Sequence, residues 1–391
     1  MQFDHQIAEV MDDVMDWRRT LHQNPELSFQ EHWTSSYIAE ELKKMGNIEV
    51  LRPTETSVLG IIKGEKPGRK VGLRADIDAL PIQEEREGID YLSKNEGVMH
   101  ACGHDGHASI LLGAAKVFAR NADKLHGEIY LIFQHAEEVP PGGAIEMVRT
   151  GLFDDLDFVF GQHLFTPIEL GKIGIKNGPI MANSDTFDLT IQGRGGHAAE
   201  PEFSVDPIVV GAKIIDHFQT IVSRITSPLD SVVISTTNFH SGTAKNIIPD
   251  KAVLEGSVRT ISDKTRYLVK EKMEQAVKST CEFYGAQYEF SFDLGYDSLI
   301  NDEKSTNRVR EIATQIFGNR VFEYPLELGG EDFSAFSRKI PGTYIYIGAG
   351  NAETDTEYPH HHPKFAFDDD ALIDGIKAMV YVGYEMSKGK A

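Results

Sequence analysis

The sequence predicts an α/β fold in which a central sheet flanked by helices is interrupted by a smaller inserted α+β module. Three observations predict it. Between residues 58 and 163, strand-like apolar runs alternate with helix-like runs, the order of a sheet covered by helices on both faces. Near Gly178 the texture changes to the polar–apolar alternation of half-exposed antiparallel strands. After about Tyr296 the first style returns, so the module interrupts a larger domain. A chain of 391 residues is also long for one core and favours two domains.

The elements follow in order. Ile7, Val10, Met11, Val14 and Trp17 recur at three- and four-residue spacing and predict an amphipathic helix. A second helix is expected over 33–45, stopped by Gly46. SVLGIIKG and KVGLRAD read as strands, SILLGAAKVFAR as a helix, GEIYLIFQH as a buried strand, GGAIEMVRTG as a short helix ending at Gly151, and DFVFGQH as another buried strand. In the insert, the strand NSDTFDLTIQG precedes a helix over 207–225, the strands SVVISTTNF and AVLEGSVRT, a helix over 266–283 and the strand AQYEFSFD. That β-α-β-β-α-β order is the split pattern of a ferredoxin-like module. A helix over 306–317, the strand GTYIYIGAG and a helix over 369–386 complete the chain.

Composition narrows the function. With 41% hydrophobic and 25% charged residues the chain is an ordinary globular one. Lys and Arg total 39 against 60 Asp and Glu, for a formal charge of −21. That sign repels phosphate backbones and anionic lipid, which argues against nucleic-acid and membrane partners. No run is apolar enough for a membrane span, and the N-terminus lacks the pattern of a secretory signal. The only cysteines, Cys102 and Cys281, make no disulfide framework and suit a reducing cytoplasm. Cys281 lies in a helical run and reads as a small core residue.

Cys102 belongs to MHACGHDGHASI, where coordinating side chains crowd a loop just before a helix. Glu137 and Glu138 follow a buried strand in QHAEE, His163 ends the next one in FGQH, and His361 lies in HHHPKF before the last helix. Four segments thus bring ligating groups to strand ends, where open α/β sheets place ligand sites. Gly103 lets Cys102 and His104 converge from one tight turn. Thiolate, imidazole and carboxylate suit zinc-like ions, and a carboxylate beside a metal-activated water can take its proton. Taken singly, each of these residues has a blander reading, as a satisfied polar group or a charged surface. His107 reads as a packed polar residue, and Glu331 and Asp332 as caps for a helix beginning at Phe333.

Ten blocks carry a resemblance: RRTLHQNPELSFQE, GLRADIDALPI, MHACGHDGHASILLGAA, FQHAEE, GQHL, GRGGHAAEP, GTAKNIIPD, GSVRT, GGEDF and HHHPKF, in that order. Together they resemble the amidohydrolase branch of the aminoacylase and carboxypeptidase G family of dinuclear metallopeptidases. Hippurate hydrolase, the indole-acetyl-amino-acid hydrolases and N-acetyl-diaminopimelate deacetylase belong to that branch. The resemblance implies a catalytic domain over 1–179 and 297–391, with a lid or dimerisation domain over 180–296. It implies metal ligands at Cys102, His104, Glu138, His163 and His361, a general base at Glu137, and a lid histidine, His197, that polarises the scissile carbonyl. Asn246 and Arg259 match lid residues that hold the substrate carboxylate. Asp76 and Asp78 are hallmark residues near the site and not direct ligands. In HHHP the alignment selects His361, flanked by His360 and His362.

The implied reaction is hydrolysis of the amide bond of an N-acyl amino acid or related small conjugate. Two divalent ions about 3.5–4 Å apart would share a bridging hydroxide and the Cys102 sulfur. Manganese or zinc stands ahead of cobalt or nickel as the metal. Their charge would draw a substrate carboxylate that the acidic chain as a whole repels. A homodimer through the lid domain stays open, as does whether His197 serves its own subunit or a partner's. The rival readings are a dipeptidase or aminopeptidase of the same family, and a non-catalytic amino-acid or peptide-binding protein on this fold. The presence of Glu137 beside Glu138 argues against the binding protein, which has no need of a proton carrier.

Overall fold

The computed structural model describes residues 2–354 and 356–389. Its chain packs as two compact units. One comprises Met1–Ile180, Ile300–Leu326 and Asp332–Ala391; the other comprises Met181–Leu299 together with the short return Glu327–Glu331. No pattern in the sequence marks that return. It joins the second unit by backbone pairing, with the Ala182 N–H donating to the Gly329 carbonyl at 3.0 Å.

The larger unit is built on an eight-stranded sheet. Its order is Glu49–Leu51, Val58–Lys63, His126–Gln134, Lys66–Asp76, Phe158–Glu169, Gly342–Gly350, Ile173–Ile175 and Val321–Glu323. Lys66–Asp76 runs parallel to both of its neighbours, and Phe158–Glu169 runs parallel to Gly342–Gly350. Gly342–Gly350 is buried throughout, as a central strand covered on both faces must be. On one face Val71, Leu73, Ala75, Ile129, Leu131 and Phe133 join a core made with the helices His104–Ala119 and Ala371–Ser387. The short helices Gly143–Arg149 and Ser334–Ser337 lie against the other face.

His104–Ala119 is buried at every position except Lys116, which explains why SILLGAAKVFA carries apolar residues all round rather than in one stripe. The expected N-terminal helix is two, Asp4–Glu9 and Met11–Gln23, broken at Val10. Ile7, Val10, Val14 and Trp17 are nonetheless all buried, so the apolar stripe survives the break. Ile173–Ile175 and Val321–Glu323 are three-residue strands, too short to show an alternation in the sequence.

The smaller unit is an antiparallel four-stranded sheet in the order Val232–Ser241, Lys251–Thr260, Asn183–Gln192 and Gln287–Asp293. Every second residue of Lys251–Thr260 is buried, and these pack under the helices Pro207–Thr220 and Asp263–Tyr284. Asp206 caps the first helix by accepting from the Ile208 and Val209 N–H groups, and Ser262 caps the second through Thr265. The helix expected over 207–225 is α-helical only to Thr220. A π turn follows over Ile221–Ile225, closed by the Thr226 N–H on the Ile221 carbonyl at 3.0 Å. Among the described residues, no helix is long and apolar enough to cross a membrane.

Candidate metal centre

The parallel strands deliver the coordinating residues to one edge of the larger unit. Lys66–Asp76 ends in register with His126–Gln134, Asp76 opposite Gln134. Asp78 follows the first strand and Glu137 and Glu138 the second, while His163 is carried within Phe158–Glu169 opposite Tyr346. Cys102 and His104 sit at the start of His104–Ala119, on either side of Gly103. Gly103 has φ +88°, a left-handed conformation in which a side chain is strained, so the turn that aims both neighbours requires glycine.

Two overlapping groups result. Ligating atoms of Cys102, His104 and His163 lie within 4.8 Å of one another, and so do those of Cys102, Glu138 and His361. Cys102 belongs to both. His104, Glu137 and Glu138 form a third group within the same reach, so the buried Glu137 stands beside the other two.

The hydrogen bonds fix which ring nitrogens are available. His104 donates from Nδ1 to the Asp78 backbone carbonyl at 3.0 Å and to its Oδ1 at 3.2 Å. Its Nε2 is buried, has no hydrogen-bond partner, and lies 3.8 Å from Glu138 Oε1, which is likewise buried and unbonded. His163 donates from Nδ1 to the Leu164 carbonyl at 2.7 Å, leaving the Nε2 lone pair 3.5 Å from the Cys102 sulfur. A histidine held by one nitrogen, with the other presented bare to sulfur and carboxylate, is the arrangement of a metal ligand.

His107 is different. Its Nε2 accepts from the Leu164 N–H at 2.9 Å, so Nδ1 carries the proton and donates to Asp76 at 2.6 Å. Both nitrogens are committed, in keeping with a packed polar residue. Among the three consecutive histidines, His360 donates to the Leu164 carbonyl at 3.0 Å, and His362 Nδ1 accepts from the Lys364 N–H. Of the three, His361 is the one that reaches Glu138, its half-exposed ring placing Nε2 3.3 Å from Oε1, from a backbone with φ +68°.

Electrostatics fit a cation. Burial opposes a charge on His104, but Asp76, Asp78 and Glu138 outweigh it and lift the ring to about 10. Burial, then Glu138, Glu137 and Asp76, push the Cys102 thiol well above its ordinary range. Packed carboxylates beside a thiol are costly alone, and divalent cations reverse that cost and favour the thiolate. The residues present therefore fit two metal ions.

Asp76 and Asp78 surround the ligands as the sequence suggests. Asp76 is ion-paired to the buried Arg74 at 2.6 Å, and Asp78 also accepts from the Glu138 N–H at 2.9 Å. Asp332 corrects its expected role: the N-cap of Ser334–Ser337 is Phe333, with no side-chain cap. The Asp332 carboxylate instead takes Arg74 Nη2 at 2.9 Å, Gln134 Nε2 at 2.8 Å and the Ala144 N–H at 3.0 Å.

In the smaller unit, His197 is exposed and pairs with Ile247 in a two-stranded ladder. The Ala198 N–H donates to the Asn246 carbonyl at 3.2 Å, so His197 and Asn246 are neighbours. The surrounding glycines serve close approach: a Cβ on Gly193 would lie 2.2 Å from the Val205 carbonyl oxygen, and one on Gly195 would lie 2.7 Å from that of Ile248. Arg259 is not brought to them. It pairs with Ser184, eight residues along the strand from Gln192, or about 27 Å at the usual rise.

A family model described as "Peptidase family M20/M25/M40" matches residues 72–384. The chain is 50% identical over 302 residues to an N-acyl-L-amino acid amidohydrolase of Geobacillus stearothermophilus, covering 77% of this chain and 81% of that protein. It is 40% identical over 384 residues to thermostable carboxypeptidase 2 of Saccharolobus solfataricus, with 97% of each covered. Among solved structures it resembles the YXEP protein of Bacillus subtilis, described as a dinuclear metal binding peptidase from the M20 family. That match has a TM-score of 0.84 and 34% identity, covering 97% of this chain and 99% of the other.

Proposed function

The chain belongs to peptidase family M20/M25/M40, and from that premise we propose that it is a metal-dependent amidohydrolase that releases an amino acid from an N-acyl amino acid. The observation that carries this reading is the pair of ligand groups sharing Cys102, with a second carboxylate, Glu137, beside them. His104 and His163 would hold one ion with Cys102, and Glu138 and His361 would hold the other. Such ions, when bound, polarise a carbonyl and lower the pKa of water. Manganese or zinc is the proposed metal, on the mixed sulfur, nitrogen and oxygen donors.

Glu137 accepts a proton from the attacking water as its oxygen bonds to the amide carbon. The same carboxyl returns that proton to the nitrogen as the carbon–nitrogen bond breaks, so a carboxylic acid and a free amine leave. His197 donates a hydrogen bond to the carbonyl oxygen as that oxygen gains charge. Asn246 and Arg259 hold the substrate's carboxylate. The separation of Arg259 from the His197–Asn246 pair within one chain supports a homodimer, in which the two come from different subunits. Among the described residues Val232–Ser241 is an edge strand of its sheet and carries exposed Phe239, with exposed Ile208 on the helix Pro207–Thr220 packed against it. A protein that sediments as a single chain while fully active would set the dimer aside. Cys102 and Cys281 are both unpaired, which supports a cytoplasmic location.

A substrate screen tests the reading. Protein loaded separately with Mn²⁺, Zn²⁺, Co²⁺ or Ni²⁺ is offered N-acetyl, N-benzoyl and longer N-acyl amino acids beside free dipeptides. Release of amino acid from the N-acyl compounds is expected. Preference for dipeptides would favour the dipeptidase, and binding without turnover under every metal would favour a binding protein.

A further inference from the structure

Glu31 is fully buried, and no step above uses it. It stands at the N-cap position of His32–Met45, where a glutamate could serve its own helix, yet its side chain makes no capping bond. Glu26 does that work instead, accepting from the Trp33 and Thr34 N–H groups at 3.1 and 2.8 Å. The Glu31 carboxylate is thereby free to turn away from the helix.

Its Oε1 accepts two backbone N–H groups, from Phe29 at 3.1 Å and from Ala136 at 2.7 Å. Both donors have positive φ, +65° for Phe29 and +49° for Ala136. Left-handed backbone is strained for any residue with a Cβ and persists only where its surroundings impose it. Among the described residues only Asn47 and His361 share that feature outside glycine, so one carboxylate oxygen binds two of the four. Ala136 directly precedes Glu137 and Glu138, and its conformation sets where the chain sends both. The ring of Phe29 also packs edge-on against that of His135, joining the same two segments a second time. A carboxylate is a costly choice for this place, since burial, with Asp78 nearby, lifts Glu31 to about 7.

We propose that Glu31 is a positioning residue: by accepting the Ala136 N–H it locks the left-handed turn that aims Glu137 at the scissile amide. The proposal rests on Glu137 being the general base. Glu31 touches neither substrate nor metal. It acts by holding the backbone on which the base is mounted, and the needed property is an acceptor oxygen at that point.

Four variants test this: Glu31→Ala, Glu31→Gln, Glu31→Asp and, separately, Glu137→Gln. Each is loaded with Mn²⁺, its metal stoichiometry is measured, and kcat and KM are determined on an N-acyl amino acid. Hydrogen exchange at the Ala136 amide is followed in parallel. Glu31→Ala should lower kcat by about 10- to 10²-fold with two metals retained and KM within about twofold, while Ala136 exchanges faster. Glu31→Gln keeps the acceptor oxygen and should recover kcat to within about threefold of wild type. Should Glu31→Ala fail to fold, Glu31→Asp decides: its shorter arm withdraws the oxygen and should lower kcat likewise. Wild-type kcat in Glu31→Ala or, failing that, in Glu31→Asp would overturn the proposal. So would equal loss in Glu31→Ala and Glu31→Gln, or a loss that merely tracks lost metal. Failure of the premise looks different, because Glu137→Gln would then keep its activity whatever the Glu31 variants do.

Discussion

Asp78 accepts the Nδ1 proton of His104 twice, at its backbone carbonyl at 3.0 Å and at its Oδ1 at 3.2 Å, and these bonds turn the opposite nitrogen, Nε2, toward Glu138. Partners of this kind orient a ligand and raise its basicity, and losing one costs typically about 10- to 100-fold in metal affinity. Asp78→Ala should therefore weaken Mn²⁺ binding by about that factor, measured by competition with a chromophoric chelator. Unchanged affinity would mean that the Asp78 backbone carbonyl alone fixes the ring.

Because Cys102 stands in both ligand groups, its loss should be felt at both ions. Cys102→Ser replaces a soft thiolate by a neutral hydroxyl and should weaken the two binding events together. His163→Ala and His361→Ala should each weaken one event and spare the other. Metal titration by calorimetry reads the difference; one unaffected site in Cys102→Ser would show that the sulfur serves a single ion.

His197 is exposed, so its removal should cost little stability. Its proposed contact with the carbonyl oxygen strengthens only in the transition state. His197→Ala should lower kcat by about 10²-fold, with melting temperature and metal content unchanged. A fully active variant would remove this residue from the catalytic groups.

A pH dependence of stability follows from His22. Burial works to lower its pKa, but the charge and hydrogen bond of Asp105, together with Glu84, outweigh it and raise the ring above 6.5. A histidine whose folded pKa is raised adds stability fully below its unfolded value, and that share is lost as pH climbs through the folded value. His22 is hydrogen-bonded to Asp105 at 2.8 Å and to Glu84 at 3.1 Å, with both carboxylates buried. Breaking a buried pair leaves an uncompensated charge, so His22→Gln should cost about 3 kcal/mol at pH 6. Denaturant unfolding of the chelated proteins should show the gap between wild type and variant narrowing toward pH 9. A gap that widens instead would refute the assigned sign.

Much of this was legible in the sequence, for physical reasons that differ from residue to residue. Continuous apolar runs announce the strands Lys66–Asp76 and His126–Gln134, whose C-terminal halves are buried at every position, and apolar period announces the helix Glu303–Phe317, which buries one face. The ligand residues announce themselves by crowding, as in ACGHDGH and HAEE. What stays hidden depends on contacts between distant segments. Glu31 meets Ala136 across 105 positions, and Asp332 meets Arg74 across 258, so neither bond leaves a local pattern. The distance between Arg259 and His197 appears only once the sheet register is known. Within HHHP the resemblance selects His361, but the left-handed backbone angle from which its ring reaches Glu138 is not carried by the letters.

The most direct test of the central claim is the turnover of Glu137→Gln on an N-acyl amino acid, with metal content measured on the same sample. The amide keeps the shape of the carboxylate but cannot take the water's proton. Two metals retained with kcat lowered by at least about 10²-fold is the predicted result. A fully metallated Glu137→Gln protein with near-wild-type turnover would contradict it.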